Sequence, residues 1–200
     1  NQVQAINGID LHFEQADYVV IVGSNGSGKS TLLNLVAGSV LPTSGTIAID
    51  GVDVSRLHEY KRSRWIARVF QNPLSGTAPD LSILDNFRLA ALRTQKKGFG
   101  IGVNDAFKTK VKDKIATLRM GLEDKTGQLM GTLSGGQRQA LTLLMSIMDE
   151  CRILLLDEPS AALDPRSANI VMQTADALIK EYRLTAILIT HNLKDAFTYG

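Results

Sequence analysis

A glycine-rich run near the amino terminus has the residue types of a phosphate-binding loop. It satisfies the spacing G-x-x-x-x-G-K-[ST]. Its residues are Gly23, Ser24, Asn25, Gly26, Ser27, Gly28, Lys29, Ser30 and Thr31. Glycines let the backbone curl so that successive N–H groups converge on phosphate oxygens, and a following helix N-terminus adds a favourable dipole. Lys29 would neutralise the β- and γ-phosphates, and the Ser30 hydroxyl would ligate Mg²⁺. The run predicts a nucleotide phosphate site, and the alternative is a structural Gly/Ser turn.

An acidic pair ends the apolar run Ile153–Leu156. In open α/β sheets, ligands bind outside the carboxyl ends of strands, which is where Asp157 and Glu158 would lie. Because successive side chains diverge there, we expect two different roles. Asp157 is placed to hold the Mg²⁺ shell, and Glu158 is placed to polarise the attacking water. The alternative is a pair of solvated loop carboxylates.

A second helix start also has the features of an anion site. Ser134 is a good N-cap, and Gly135 and Gly136 leave the first helical N–H groups accessible. The sequence has one phosphate loop. This second helix start is therefore expected to contact the phosphate of a nucleotide that another chain binds.

Hydrophobic patterning predicts the elements that must position these groups. The expected strands are Tyr18–Val22, Thr46–Ile49, Ile66–Phe70, Ile153–Leu156 and Leu184–Thr190, with a turn at Asp50-Gly51. Helical periodicity covers Lys29–Ala37 and returns in the apolar stripe Phe107, Val111, Ile115 and Leu118. The middle, roughly 73 to 150, looks mainly helical. This order predicts an α/β core interrupted by a helical insertion.

Length and composition exclude several classes of protein. The chain has 200 residues, 44% hydrophobic and 21% charged, which predicts a folded chain of one domain, or of one domain carrying an insertion, rather than two full-sized domains. A net charge of +2 argues against a dedicated nucleic-acid binder. The longest aliphatic stretches are too short to span a bilayer. The single Cys151 excludes an intramolecular disulfide and a multi-thiolate metal site.

With these motifs in place, the sequence resembles the ATPase domain of ABC transporters. Residues 133–137 read LSGGQ, the family's signature, and the phosphate loop and ILLLDEP accompany it in the family's order. Gln71, in VFQNP, looks like the Q-loop. Asp164 looks like part of the D-loop, and His191 looks like the switch histidine. The resemblance covers nearly the whole chain.

The resemblance implies an α/β fold with a P-loop NTPase core, an antiparallel β subdomain and a helical ABC-signature subdomain. The RecA-like and β core would comprise 1–72 and 151–200, and the helical subdomain would comprise 73–150. The implied cofactors are ATP and Mg²⁺. The implied Mg²⁺ ligands are Ser30, Gln71 and Asp157.

Family members dimerise head to tail, with two ATP molecules between the phosphate loop of one chain and the signature of the other. The resemblance therefore implies that the signature residues contact a nucleotide held by a partner; these are Ser134, Gly135, Gly136 and Gln137. It also implies that Asp164 crosses the interface. The implied catalytic set is Glu158, His191 and Gln71, with His191 contacting the γ-phosphate and Gln71 sensing Mg²⁺ and the water.

The implied function is that of an ATP-hydrolysing subunit of an ABC transporter. It would act as a homodimer on the cytoplasmic face of a bacterial cell membrane, with separate permease subunits, a periplasmic or lipoprotein substrate-binding protein, and no nucleic acid. Segments 118–123, 131–133 and 140–145 further resemble a bacterial tryptophan/tyrosine-type or uncharacterised importer subfamily. The compact chain and residues 71–86 resemble an importer subunit more than an exporter, so import is favoured. One alternative is a soluble ABC ATPase acting on nucleic acid or ribosomes. Another is a regulatory subunit that binds nucleotide without hydrolysing it.

The sequence departs from the family at its ends. The chain begins so close to the phosphate loop that no aromatic residue is assigned to stacking on adenine. It starts at Asn1 rather than Met, without the basic and apolar regions of a signal peptide, and stops shortly after His191. We expect both ends to be shortened relative to the family.

Overall fold

The computed structural model describes residues 5–93 and 102–199. The strands are β1 Tyr18–Val22, β2 Ala48–Ile49, β3 Val52–Asp53, β4 Ile66–Val69, β5 Ile153–Asp157 and β6 Thr185–Thr190. The helices are α1 Lys29–Ala37, α2 Glu59–Arg62, α3 Ile83–Ala91, α4 Asp105–Ala116, α5 Gly135–Ser146, α6 Pro165–Tyr182 and α7 Leu193–Tyr199. A short 3₁₀ helix, Met130–Thr132, precedes α5.

The main sheet has the strand order β1-β6-β5-β4. Strand β6 runs parallel to both of its neighbours, with Val22 opposite Thr190 and Asp157 opposite Ile189. Strands β5 and β6 are buried along most of their length, which explains why they are continuous apolar runs rather than alternating ones. The carboxyl ends of β1, β6 and β5 therefore lie at one edge of the sheet. The α/β class predicted from the sequence is confirmed.

A small antiparallel hairpin joins β2 to β3, with Ile49 opposite Val52. Asp50 and Gly51 form its predicted turn and have φ values of 51° and 75°. Both values lie in the left-handed region that a two-residue hairpin turn favours, and Asp-Gly is a preferred pair there. Strand β3 has only two residues, which is too short for a periodic pattern in the sequence to predict it. The predicted antiparallel β part of the fold is confirmed.

The chain divides into two compact units. The first comprises the residues up to Arg68, Cys151–Glu158 and the residues from Leu178 onward; the second comprises Val69–Glu150 and Pro159–Ala177. The core of the first unit includes Leu33, Val54, Trp65, Leu155, Ile187 and Ile189. In the second unit α3, α4 and α5 pack together, and their buried side chains include Ile83, Phe87, Val111, Ile115, Leu141 and Leu144.

Within residues 5–93 and 102–199, every helix is too short or too polar to span a bilayer.

A fully buried arginine closes the end of α1 in the first unit. The guanidinium of Arg62 donates to the carbonyl oxygens of Leu35 and Val36, at 2.6 and 2.8 Å, in the last turn of that helix. It also donates to the carbonyl oxygens of Leu57 and Ser55. The last carbonyls of a helix lack intrahelical partners and carry the negative end of its dipole. Arg62 therefore fixes the far end of the helix whose other end begins at the phosphate loop.

Replacing Arg62 with Met should strongly destabilise the first unit. The substitution leaves buried carbonyl oxygens without these donors, so we expect the free energy of unfolding to fall by about 3 kcal/mol. A urea titration followed by the fluorescence of Trp65, the single tryptophan and a core residue of this unit, measures the change. Arg56→Met, at an exposed position, is the matched control and should unfold like the parent. An unchanged midpoint for Arg62→Met would contradict this role.

Candidate functional site

The glycine-rich loop connects β1 to α1 in the first unit. Gly26 and Gly28 adopt φ values of 81° and 91°, which L side chains rarely tolerate, so the loop needs glycine at both positions. Lys29 is buried, and its Nζ donates to the carbonyl oxygens of Gly23 and Ser24 at 2.8 and 2.9 Å. These bonds hold the ammonium group over the loop. The loop thus presents a positive charge and the N-terminus of a helix at the same place.

Glu158 and His191 meet at the same sheet edge. Nδ1 of His191 lies 3.0 Å from Oε2 of Glu158. His191 follows β6, the strand that lies between β1 and β5, so its position is between the strand of the phosphate loop and the strand of the acidic pair. The Glu158 side chain is 15% exposed and that of His191 is 58% exposed. A carboxylate with restricted access to water and an adjacent imidazole can together orient a water molecule and accept its proton.

The backbone at Glu158 is held in an unusual conformation. Its φ is 46°, in the left-handed region, and its N–H donates to the carbonyl oxygen of Ile189 at 3.0 Å. A non-glycine residue in this region costs about 1–3 kcal/mol, and such residues cluster at functional sites. The bond to the neighbouring strand β6 holds the turn, so the acid leaves β5 at a fixed angle.

Asp157 has a cationic partner that the sequence motifs did not reveal. Its Oδ2 accepts a hydrogen bond from Nη2 of Arg68 on β4 at 2.8 Å, and both side chains are largely buried. Nη1 of the same guanidinium donates to Oδ1 of Asn34 on α1 at 2.8 Å. Arg68 therefore links the end of the acidic strand to the helix of the phosphate loop. The available signal was an arginine inside an apolar strand, since a largely buried charge needs a partner.

The predicted signature lies at the start of α5, in the second unit. Oγ of Ser134 accepts from the N–H of Gln137, and Oε1 of Gln137 accepts from the N–H of Ser134, at 3.3 and 3.1 Å. This reciprocal pair is a capping box. A Cβ added to Gly136 would lie 2.4 Å from Cβ of Ser167, which is closer than real contacts allow. Gly136 thus lets α5 approach the start of α6.

Asp164 lies beside this contact. Its Oδ1 accepts from the N–H groups of Arg166 and Ser167 at 3.1 and 3.0 Å, which caps α6. Hydrogen bonds from Ser167, and then from the backbone of Arg166, lower the pKa of the Asp164 carboxyl. The signature glycine and the predicted D-loop acid therefore both adjoin Ser167.

Two further side chains of α5 were not selected from the sequence. Arg138 is buried and donates to the carbonyl oxygens of Met130, Gly131 and Leu133, so it fixes the 3₁₀ turn that leads into the signature. Gln139 is fully buried and donates to the carbonyl oxygen of Phe70. Gln71 itself is exposed. The signal for Arg138 and Gln139 was a pair of long polar side chains inside an apolar helix.

The structure distributes the predicted site residues over the two units. The phosphate loop, Asp157, Glu158 and His191 belong to the first unit, where strand ends bring them to one edge. Gln71, the signature residues and Asp164 belong to the second unit. Within that unit the signature and the Asp164 turn adjoin each other, as the contact with Ser167 shows.

Known proteins are similar to this chain in sequence and in fold. A family model described as ABC transporter matches residues 6–161. The tyrosine transport ATP-binding protein of Clostridioides difficile is 37% identical over 195 residues, covering 96% of this chain and 76% of that protein. The thiamine import ATP-binding protein ThiQ of Aliivibrio fischeri is 36% identical over 189 residues, covering 94% and 75%. The dimeric ATP-binding cassette MJ0796, bound to ADP and Pi in a post-hydrolysis state, has a TM-score of 0.81 and is 26% identical, covering 96% of this chain and 82% of that one.

The strand order and the two units describe an α/β protein, and these matches specify its class. The chain belongs to the ABC transporter family. It is an ATP-binding, ATP-hydrolysing subunit of an ABC transporter. The prediction from the signature motifs is confirmed over the alternative of an ABC ATPase that acts on nucleic acid or ribosomes.

Proposed function

We propose that this chain powers the import of a small organic solute by hydrolysing ATP between two copies arranged head to tail. The contact between Glu158 and His191, on the edge that also carries the phosphate loop, is the observation that best supports ATP hydrolysis by this chain. A relative named for thiamine import supports the direction, and a relative named for tyrosine transport supports a small organic solute. Tyrosine is the first solute to test, because the relative named for it is 37% identical over 195 residues.

In this proposal the phosphate-binding residues are Gly23, Ser24, Asn25, Gly26, Ser27, Gly28, Lys29, Ser30 and Thr31. The amides of the loop and the Lys29 ammonium bind the phosphates. Glu158 accepts the proton of the attacking water, and His191 holds that water and the γ-phosphate in line. Orientation of this kind removes much of the entropic barrier to attack.

The proposed ligands of Mg²⁺ are Ser30, Gln71 and Asp157. They offer a hydroxyl, an amide and a carboxylate oxygen, which are the hard donors that Mg²⁺ takes. Arg68 occupies Oδ2 of Asp157 and fixes the orientation of the carboxylate. The ion would neutralise charge that develops on the phosphate oxygens. Arg68 and Asn34 would keep the carboxylate aimed.

A second copy would complete each ATP site. We assign Ser134, Gly135, Gly136 and Gln137 to the γ-phosphate held by the partner copy, and Asp164 to the interface. The capped start of α5 provides backbone N–H groups and the positive end of a helix dipole. A related cassette is a dimer with ADP and Pi bound, which supports dimerisation of this chain.

The remaining assignments concern the partners of this chain. We propose that 1–72 with 151–200 is the nucleotide-binding core and that 73–150 is the helical subdomain, which Gln71 couples to a membrane permease. The complex lies on the cytoplasmic face of a bacterial membrane and receives solute from a substrate-binding protein. Relatives named as ATP-binding proteins of transport and import systems support a separate permease.

The Glu158→Gln variant should bind ATP without hydrolysing it at the normal rate, so it should accumulate as an ATP-bound dimer. Loss of the general base should lower kcat by about 10²–10⁴-fold while leaving the phosphate contacts intact. Analytical ultracentrifugation with saturating MgATP measures the dimer fraction. Glu181→Gln, at an exposed position on α6, is the matched control and should behave like the parent. A strictly monomeric Glu158→Gln protein at saturating MgATP would contradict the mechanism.

The full chain, purified from native membranes in mild detergent, should bring a multi-span membrane protein with it at near-equal stoichiometry. Mass spectrometry identifies that protein, and the complex reconstituted in vesicles should take up labelled tyrosine when MgATP is supplied. Uptake of another solute would correct the substrate and keep the importer. Recovery of ribosomal proteins or DNA-binding factors without a permease would contradict the proposed function.

A further inference from the structure

We propose that Gln139, on the signature helix α5, is a positioning residue for Gln71. Its Nε2 donates to the carbonyl oxygen of Phe70 at 2.8 Å. That carbonyl belongs to the peptide group that joins Phe70 to Gln71, so the bond fixes the plane from which Gln71 departs. The inference rests on the proposed role of Gln71 in catalysis and adds a second residue to it.

The surroundings of Gln139 indicate that its hydrogen bond to Phe70 serves more than the stability of the fold. The side chain is fully buried, yet within the described ranges its Oε1 has no hydrogen-bond partner. A buried amide that leaves its acceptor unsatisfied costs about 1–3 kcal/mol, so a residue chosen for stability alone would be apolar. Asn86 provides the contrast, because both ends of its buried amide are bonded to the loop near Ala78.

A second contact attaches the same loop to the same face of α5. Gly76 lies against Thr142, since a Cβ added there would be 3.2 Å from the Thr142 methyl carbon and 3.7 Å from the Phe70 ring. Thr142 follows Gln139 by three residues, so both lie on one face of the helix. The exposed segment that begins at Gln71 is therefore held on α5 at both ends.

This arrangement links the two motifs mechanically. Ser134 and Gly136 start the helix that carries Gln139 one turn later. When the start of α5 engages a phosphate, any shift of the helix is passed through the amide of Gln139 to the peptide before Gln71. The bond thus couples occupancy of the signature to the placement of the Q-loop side chain.

A double-mutant cycle with Gln139→Leu and Gln71→Ala tests the proposal in the full chain. Leu keeps most of the side-chain volume, removes the donor and removes the unsatisfied acceptor, so stability should stay near that of the parent. Misplacing Gln71 should lower kcat about tenfold without changing the Kd for ATP. In the Gln71→Ala background, Gln139→Leu should have no further effect, because the residue it positions is gone. The backbone amides of residues 70–76 should exchange hydrogen faster in the Gln139→Leu variant than in the parent.

The three variants distinguish failure of the positioning role of Gln139 from failure of the catalytic role of Gln71. If Gln71→Ala alone leaves kcat unchanged, the catalytic role of Gln71 is wrong. If Gln71→Ala slows the reaction but Gln139→Leu has no effect, or multiplies the defect in the double variant, the positioning role is wrong. Gln173→Leu, at an exposed position on α6, is the matched control and should match the parent in every measurement.

Discussion

The register of three parallel strands is the constraint on which the rest of the site depends. Strands β1, β6 and β5 end at one sheet edge, with Val22 opposite Thr190 and Asp157 opposite Ile189. Neighbouring strands are about 4.8 Å apart, so the phosphate loop and the acidic pair lie about two strand spacings apart with His191 between them. A one-residue slip would turn every side chain to the opposite face. The buried apolar strands that fix the register therefore also fix the distances within the site.

The buried cationic side chains of the first unit are each bonded to oxygen atoms. Helix α1 begins at the glycine-rich loop beside Lys29, and its C-terminal carbonyls are bonded to the buried Arg62. Arg68 pairs with Asp157 and bonds to Asn34 on that helix, so the carboxylate is held in place at the strand end. Each cation is held by oxygen atoms from several segments, which is how a small domain keeps buried charge without a large energetic penalty. Lys29 differs in that both of its carbonyl partners, Gly23 and Ser24, belong to one loop.

The sequence predicted the parts of this protein that depend on local pattern. Apolar runs located β1, β5 and β6 to within a residue or two, and glycine spacing located the loop before α1, because each of those signals is contained within a few adjacent residues. The bond between Arg68 and Asp157 joins residues 89 positions apart, and the bond between Gln139 and Phe70 spans 69 positions. No local pattern encodes such a pairing. A polar residue in an apolar run showed that a partner was needed, and only the fold identified it.

In the proposed mechanism two copies of the chain build each ATP site, and mixing two inactive variants tests this arrangement. Ser134→Arg blocks the signature, and Lys29→Ala removes the phosphate-binding charge, so each variant alone should have little ATPase activity. A mixed dimer retains one site with an intact loop from one copy and an intact signature from the other. The head-to-tail arrangement therefore predicts ATPase activity in the mixture well above either variant alone. A mixture that never exceeds the separate variants, at any ratio or concentration, would contradict it.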